Sequence, residues 1–104
     1  MSIMHRHKPS AATAAVVTIP AITGVRHQIE SLEWSYSATP TGGNLKIESP
    51  SGTVLKEIDI TADGPGFLPF SGSCIQGAVD QAVIITLASG AGAVQGILNV
   101  NQRG

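Results

Sequence analysis

The side chains able to do chemistry in this chain are few, and their spacing completes no known constellation. His5 and His7 flank Arg6 in "HRH", where an extended segment turns both imidazoles to one side. Two ligands do not make a metal site, and no third group follows at ligand spacing. Cys74 is the single cysteine. As a nucleophile it would need an adjacent base, and His27, the one histidine within the folded body, is joined to it by no motif. Asp59, Asp63 and Asp80, with Gly64 and Gly66 nearby, miss the spacing of a calcium-binding EF-hand loop and read as solvated turns. Glu33 and Glu48 would resemble glycosidase carboxylates only if the fold brought them together. "GNLKIESPSG" carries no phosphate-cradling glycine pattern ahead of a helix. The expectation is a protein that is not an enzyme, with no catalytic residue, no cofactor and no metal.

Trp34 and Tyr36, in "EWSYSATPTGGNLKI", leave one further option, a carbohydrate-binding module built on them and the turn from Thr41 to Asn44. A sugar platform takes several exposed aromatic rings, and this chain has only Trp34, Tyr36, Phe67 and Phe70. The core needs them. Both residues alternate in phase with Leu32, which predicts Trp34 packed between two sheets and the Tyr36 hydroxyl at a polar rim.

The elements that must position these groups are strands. No segment shows helical spacing over ten or more residues. "TAAVVTI" (13–19) is β-branched and ends at Pro20, the pattern of an edge strand. In "GVRHQIESLEWSYS", Val25, His27 and Ile29 alternate in one phase and Leu32, Trp34 and Tyr36 in the other. A slip of one residue near Glu30 and Ser31 predicts a β-bulge or a strand that changes sheets. "NLKIES" and "TVLKEIDI" form a hairpin around Ser49 to Gly52, with Leu45, Ile47, Val54, Ile58 and Ile60 inward. "FLPF" suits an edge because of Pro69. Residues 71–80 read as a connection between sheets. "QAVIITLA" is apolar on both faces and hence central, with Val83, Ile85 and Leu87 in its core phase. Leu98 belongs to a last strand in which Gly96 leaves room for a large neighbour such as Trp34. The fold class expected is all-β: an antiparallel β-sandwich of jelly-roll or Greek-key type over residues 13–104, preceded by an extended N-terminal arm, residues 1–12.

A chain of 104 residues holds one domain with one core. Only 12% of its residues are charged, for a formal net charge of −1, so part of the exterior is expected to face protein. A pI near 6.2 lacks the basic footprint of a nucleic-acid binder. The arm is nevertheless locally basic: His5, Arg6, His7 and Lys8 precede the first acidic residue, Glu30, and are the expected partner-binding residues. One cysteine fits synthesis in a reducing compartment. The start has no secretory pattern, and "AATAAVVTIPAI" is too short and too interrupted to span a bilayer.

The succession "HQIESLEWSYSATPTGGNLKI", "IDITADGPGFLPF" and "AVIITLASGAGAVQGILNV" resembles small virion proteins of tailed bacteriophages, over most of the chain from about Gly24 onward. The resemblance rests on a whole-strand pattern and carries over no residue roles. It implies a structural virion protein, made in the bacterial cytoplasm and located in the virion. The kind implied is a capsid decoration or cement protein of two or three copies that bridges subunits of the major capsid protein. A tail, baseplate or fibre component is the neighbouring alternative.

Overall fold

Side chains that alternate between apolar and polar along an extended backbone give every strand a greasy face, and two sheets bury those faces against each other. The computed structural model describes residues 2–70 and 74–103. The strands are β1 (Ser2–His7), β2 (Ala15–Ile19), β3 (Gln28–Tyr36), β4 (Gly43–Glu48), β5 (Val54–Ile60), β6 (Gly66–Pro69), β7 (Ile75–Gln76), β8 (Val83–Leu87) and β9 (Gly96–Arg103). Among the described residues there is no helix, and so none able to cross a membrane.

One sheet has the order β1-β9-β3-β6, with β7 also paired to β3, and the other has the order β2-β8-β4-β5. All pairings are antiparallel. The chain crosses between sheets at nearly every connection, and the β4–β5 hairpin stays within one sheet. This interleaving is the jelly roll, an antiparallel β-sandwich. The predicted edges, β2 and β6, lie at sheet margins, and β8 is central. Residues 71–73 of the predicted crossing segment lie outside the described residues. The crossing follows β7, which still belongs to the five-stranded sheet.

The core comprises Ile29, Leu32, Tyr36, Leu98 and Val100 from the five-stranded sheet. Facing them are Ala15, Val17, Ile19, Leu45, Ile47, Ile60, Val83, Ile85 and Leu87. Trp34 and Ile58 are half-buried and pack against this cluster without entering it. The phase slip in β3 is a bulge: the register with β9 shifts between Ile29 and Ser31, so that Ile29 and Leu32 are both buried.

Three expectations need correction. Val54, expected inward on β5, is exposed, because the β4–β5 register shifts between Ile47 and Glu48 and puts that end of the hairpin out of phase. Residues 2–7 are not a free arm; they form β1, in register with β9 from Ser2↔Arg103 to His7↔Leu98. Eight-residue β9 would otherwise leave a row of backbone groups unpaired, and β1 satisfies them. Gly96 does not receive Trp34. Its open side faces Leu87 and the Tyr36 ring, whereas Trp34 lies over Gly66, where an added Cβ would come within 2.3 Å of the indole.

Candidate functional site

The outward positions of the five-stranded sheet carry a row of polar side chains brought together from distant parts of the chain. Because antiparallel partners share a face, the register puts Arg6, Asn99, Glu33 and Phe67 in one row across four strands. The adjacent row is Met4, Asn101, Ser31 and Pro69. Asn99 Nδ2 donates to Glu33 Oε1 at 3.4 Å, and Asn101 Nδ2 to Glu30 Oε1 at 3.1 Å. The bulge swings Glu30 to this side, and Arg103 approaches the Cys74 sulfur at 3.9 Å. Glu30, Ser31, Phe67, Asn101 and Arg103 help line an open depression of about 400 Å³, and Phe67 stands 63% exposed at its border.

The four residues expected to bind a partner divide. Arg6 and Lys8 are exposed. His5 and His7 take the inward phase of β1 and are used within the fold. His5 Nε2 donates to Gln102 Oε1 at 2.8 Å. Gln102 Nε2 donates to His27 Nδ1 at 3.3 Å, and His27 Nε2 to the Pro20 carbonyl at 2.7 Å. His7 Nδ1 accepts the Val16 amide at 2.9 Å. The relay runs one way and ties β1, β9 and the segment before β3 together. It satisfies Gln102 and the fully buried His27 beside the apolar core.

The structure does not build the sugar platform around Trp34 and Tyr36. Tyr36 is buried, and its hydroxyl donates to the Ala88 carbonyl at 2.7 Å. Burial holds the phenol above its ordinary value of 10.0, and a backbone hydrogen bond from Asn44 opposes this in part. Trp34 instead borders a shallow depression of about 270 Å³ with Asp59, Thr61 and Pro65. Glu33 and Glu48 sit on different sheets, and Glu48 accepts the Gly52 amide at 2.8 Å, closing the hairpin turn. The Asp80 carboxylate accepts the Gly24 amide. Among the described residues, no three His, Cys, Asp or Glu side chains gather as metal ligands would.

Sequence reasoning missed Phe67, Asn99, Asn101 and Arg103 as one group. The available signal was the outward phase of "NVNQR", opposite Leu98 and Val100, but outward polar residues on a strand ordinarily mean solvent.

No protein-family model and no curated protein matches this chain. Solved structures resemble it in shape. A crystal structure of PirA shares 11% identity, covering 96% of this chain and 93% of that one, with a TM-score of 0.47. A family 32 carbohydrate-binding module from C. perfringens NanJ, in complex with galactose, shares 14% identity over 97% of this chain and 92% of that one, with a TM-score of 0.48. A protein of the disulfide-linked pili that form Bacillus endospore appendages shares 15% identity over 98% and 83%, with a TM-score of 0.43. Likenesses this distant bear on the shape of the chain and leave its function open.

Proposed function

We propose that this chain is a non-catalytic structural protein that acts by association: a bacteriophage virion component of the capsid decoration or cement kind, working as a small homo-oligomer. The sequence resemblance motivates the virion assignment, and the low charge density agrees with a surface meant for protein neighbours. The observation that carries the reading is the distribution of exposed apolar side chains. Ile3 and Met4 on β1, Val16 on β2, and Val54 and Leu55 on β5 are all exposed, whereas central β3, β4, β8 and β9 expose none of their large apolar residues to that degree. Greasy side chains on edge strands favour lateral addition of another chain. Small contacts of this kind, repeated over a shell, add through multivalency.

The test is to mix purified protein with phage shells stripped of it and to image the particles. Regular density on the shell is expected, and V54E/L55E, altering two exposed positions, should lower occupancy about tenfold while leaving the domain folded. Density on the tail would assign the protein there instead. Wild-type occupancy by the double variant, or no binding to any part of the particle, would overturn the reading.

A further inference from the structure

We infer that the outer face of the five-stranded sheet, around Phe67, Glu30, Asn101 and Arg103, is a binding site for an uncharged glycan. This face brings several planar hydrogen-bonding side chains together. Of the chain's three arginines, three asparagines and four glutamates, this face holds Arg6, Arg103, Asn99, Asn101, Glu30 and Glu33. Cross-strand register fixes the row, and the two amide-to-carboxylate bonds hold Asn99 against Glu33 and Asn101 against Glu30.

Those bonds use only part of each group. A carboxylate accepts at about four lone-pair sites and an amide has two donors and an acceptor, so each pair keeps capacity for a hydroxyl that both donates and accepts. Arg103 adds a fork of donors that, among the described residues, meets the Cys74 thiol at 3.9 Å. Vicinal hydroxyls on a sugar match such adjacent planar groups.

Charge and shape narrow the ligand. Two guanidinium groups balance two carboxylates, which disfavours a phosphate-rich or sulfated partner and suits a neutral one. Phe67 stands 63% exposed beside the depression. A ring held there offers its face to the apolar C–H side of a pyranose, and burying it on binding recovers hydrophobic area left in water by the free protein. At about 400 Å³ the depression lies within the roughly 300–1,000 Å³ of small-ligand sites. This site shares a sheet face with Met4 of the assembly reading, but Val54 and Leu55, whose substitution tests that reading, lie on the other sheet, so the two can fail separately.

The full chain, labelled with ¹⁵N, would be titrated with maltotriose, cellotriose, chitotriose and lactose, alongside a sulfated disaccharide. At millimolar sugar, saturable shifts are expected at the amides of Glu30, Ser31, Phe67, Asn101 and Arg103 for at least one neutral sugar. Phe67→Ala and Asn101→Ala should each weaken that sugar about tenfold, with the remaining spectrum unchanged. The inference is overturned if no neutral sugar shifts these amides or if only the sulfated disaccharide binds. It is equally overturned if Phe67→Ala binds as the wild type does, or if the shifts map to Trp34, Asp59 and Thr61.

Discussion

The two sheets are alike inside and unlike outside. Their inner faces are both aliphatic, with Leu98 and Val100 on one side and Ile85 and Leu87 on the other, all fully buried. Their outer faces part company at the central rows. The five-stranded sheet presents Arg6, Asn99, Glu33 and Phe67; the four-stranded sheet presents Val16, Thr86, Lys46 and Glu57. Short β-branched side chains are what a pleated surface selects when only strand stability matters. Long planar groups do less for a strand; the four-stranded sheet carries one hydrogen-bonded pair of them, Asn44 with Asp59, and the five-stranded sheet two, Asn99 with Glu33 and Asn101 with Glu30. The inner symmetry accounts for the fold, and the outer asymmetry points to where its uses differ.

The largest expected effects test the inner equivalence. Leu98→Ala and Ile85→Ala each open a hole in a fully packed layer and should each cost about 2–5 kcal/mol in urea denaturation. A cost under about 1 kcal/mol for one of them would mean that its sheet is not a full partner in the core. Gln102→Ala comes next. It removes the middle of the relay from His5 to His27 and leaves the buried His27 Nδ1 without its donor, for an expected loss of about 1–3 kcal/mol. The same variant should speed amide exchange in β1, since the relay helps hold that margin. Unchanged β1 exchange would show that backbone pairing alone retains the strand.

A third effect is read with pH. The Tyr36 hydroxyl reaches from β3 to the Ala88 carbonyl just after β8, so it bridges the sheets. Its folded value is raised by burial, so the folded state holds the phenolic proton more tightly than the unfolded chain does. The contribution is therefore fully present below the unfolded value of 10.0 and lost as pH climbs above it. Chemical denaturation from pH 8 to about 11 should show stability falling at the alkaline end. Tyr36→Phe should lose about 1 kcal/mol near neutrality and flatten that decline. An equally steep fall in Tyr36→Phe would assign it to other groups.

The parts of the fold that were legible in the sequence were those written locally. The slip of phase between Ile29 and Leu32 announced either a bulge or a change of sheet, because period-2 patterning cannot bury both in one regular strand, and the pairing of β3 with β9 on both sides of the slip makes it a bulge. Pro20 and Pro69 marked β2 and β6 as margins because proline cannot donate to a second neighbour. What stayed hidden depended on partners far along the chain. His5 looked like an arm residue because its partner, Gln102, lies 97 positions away and an inward histidine breaks the apolar pattern. Asn99, Glu33 and Phe67 looked like three unrelated solvated positions until the pairing of β9 with β3, and of β3 with β6, set them side by side. Trp34 drew attention by its rarity and proved to be half-buried over Gly66.

The smallest effect bears most directly on the outer comparison. Asn99 and Thr86 hold equivalent places, each outward and half-buried on a central strand. Asn99→Ala gives up one long hydrogen bond to Glu33 and a residue poorly suited to strands, so its stability should change by no more than about 0.5 kcal/mol. Thr86→Ala gives up a good strand former on a central strand and should cost more, up to about 1 kcal/mol. That order distinguishes a face kept for strand stability from one kept for contact, since a residue retained for the ligand contributes little to the empty fold. If Asn99→Ala instead proved the costlier substitution, the polar row would be a brace within the sheet, its hydrogen bonds spent on holding β9 to β3, and the argument that those groups await a glycan would lose its footing.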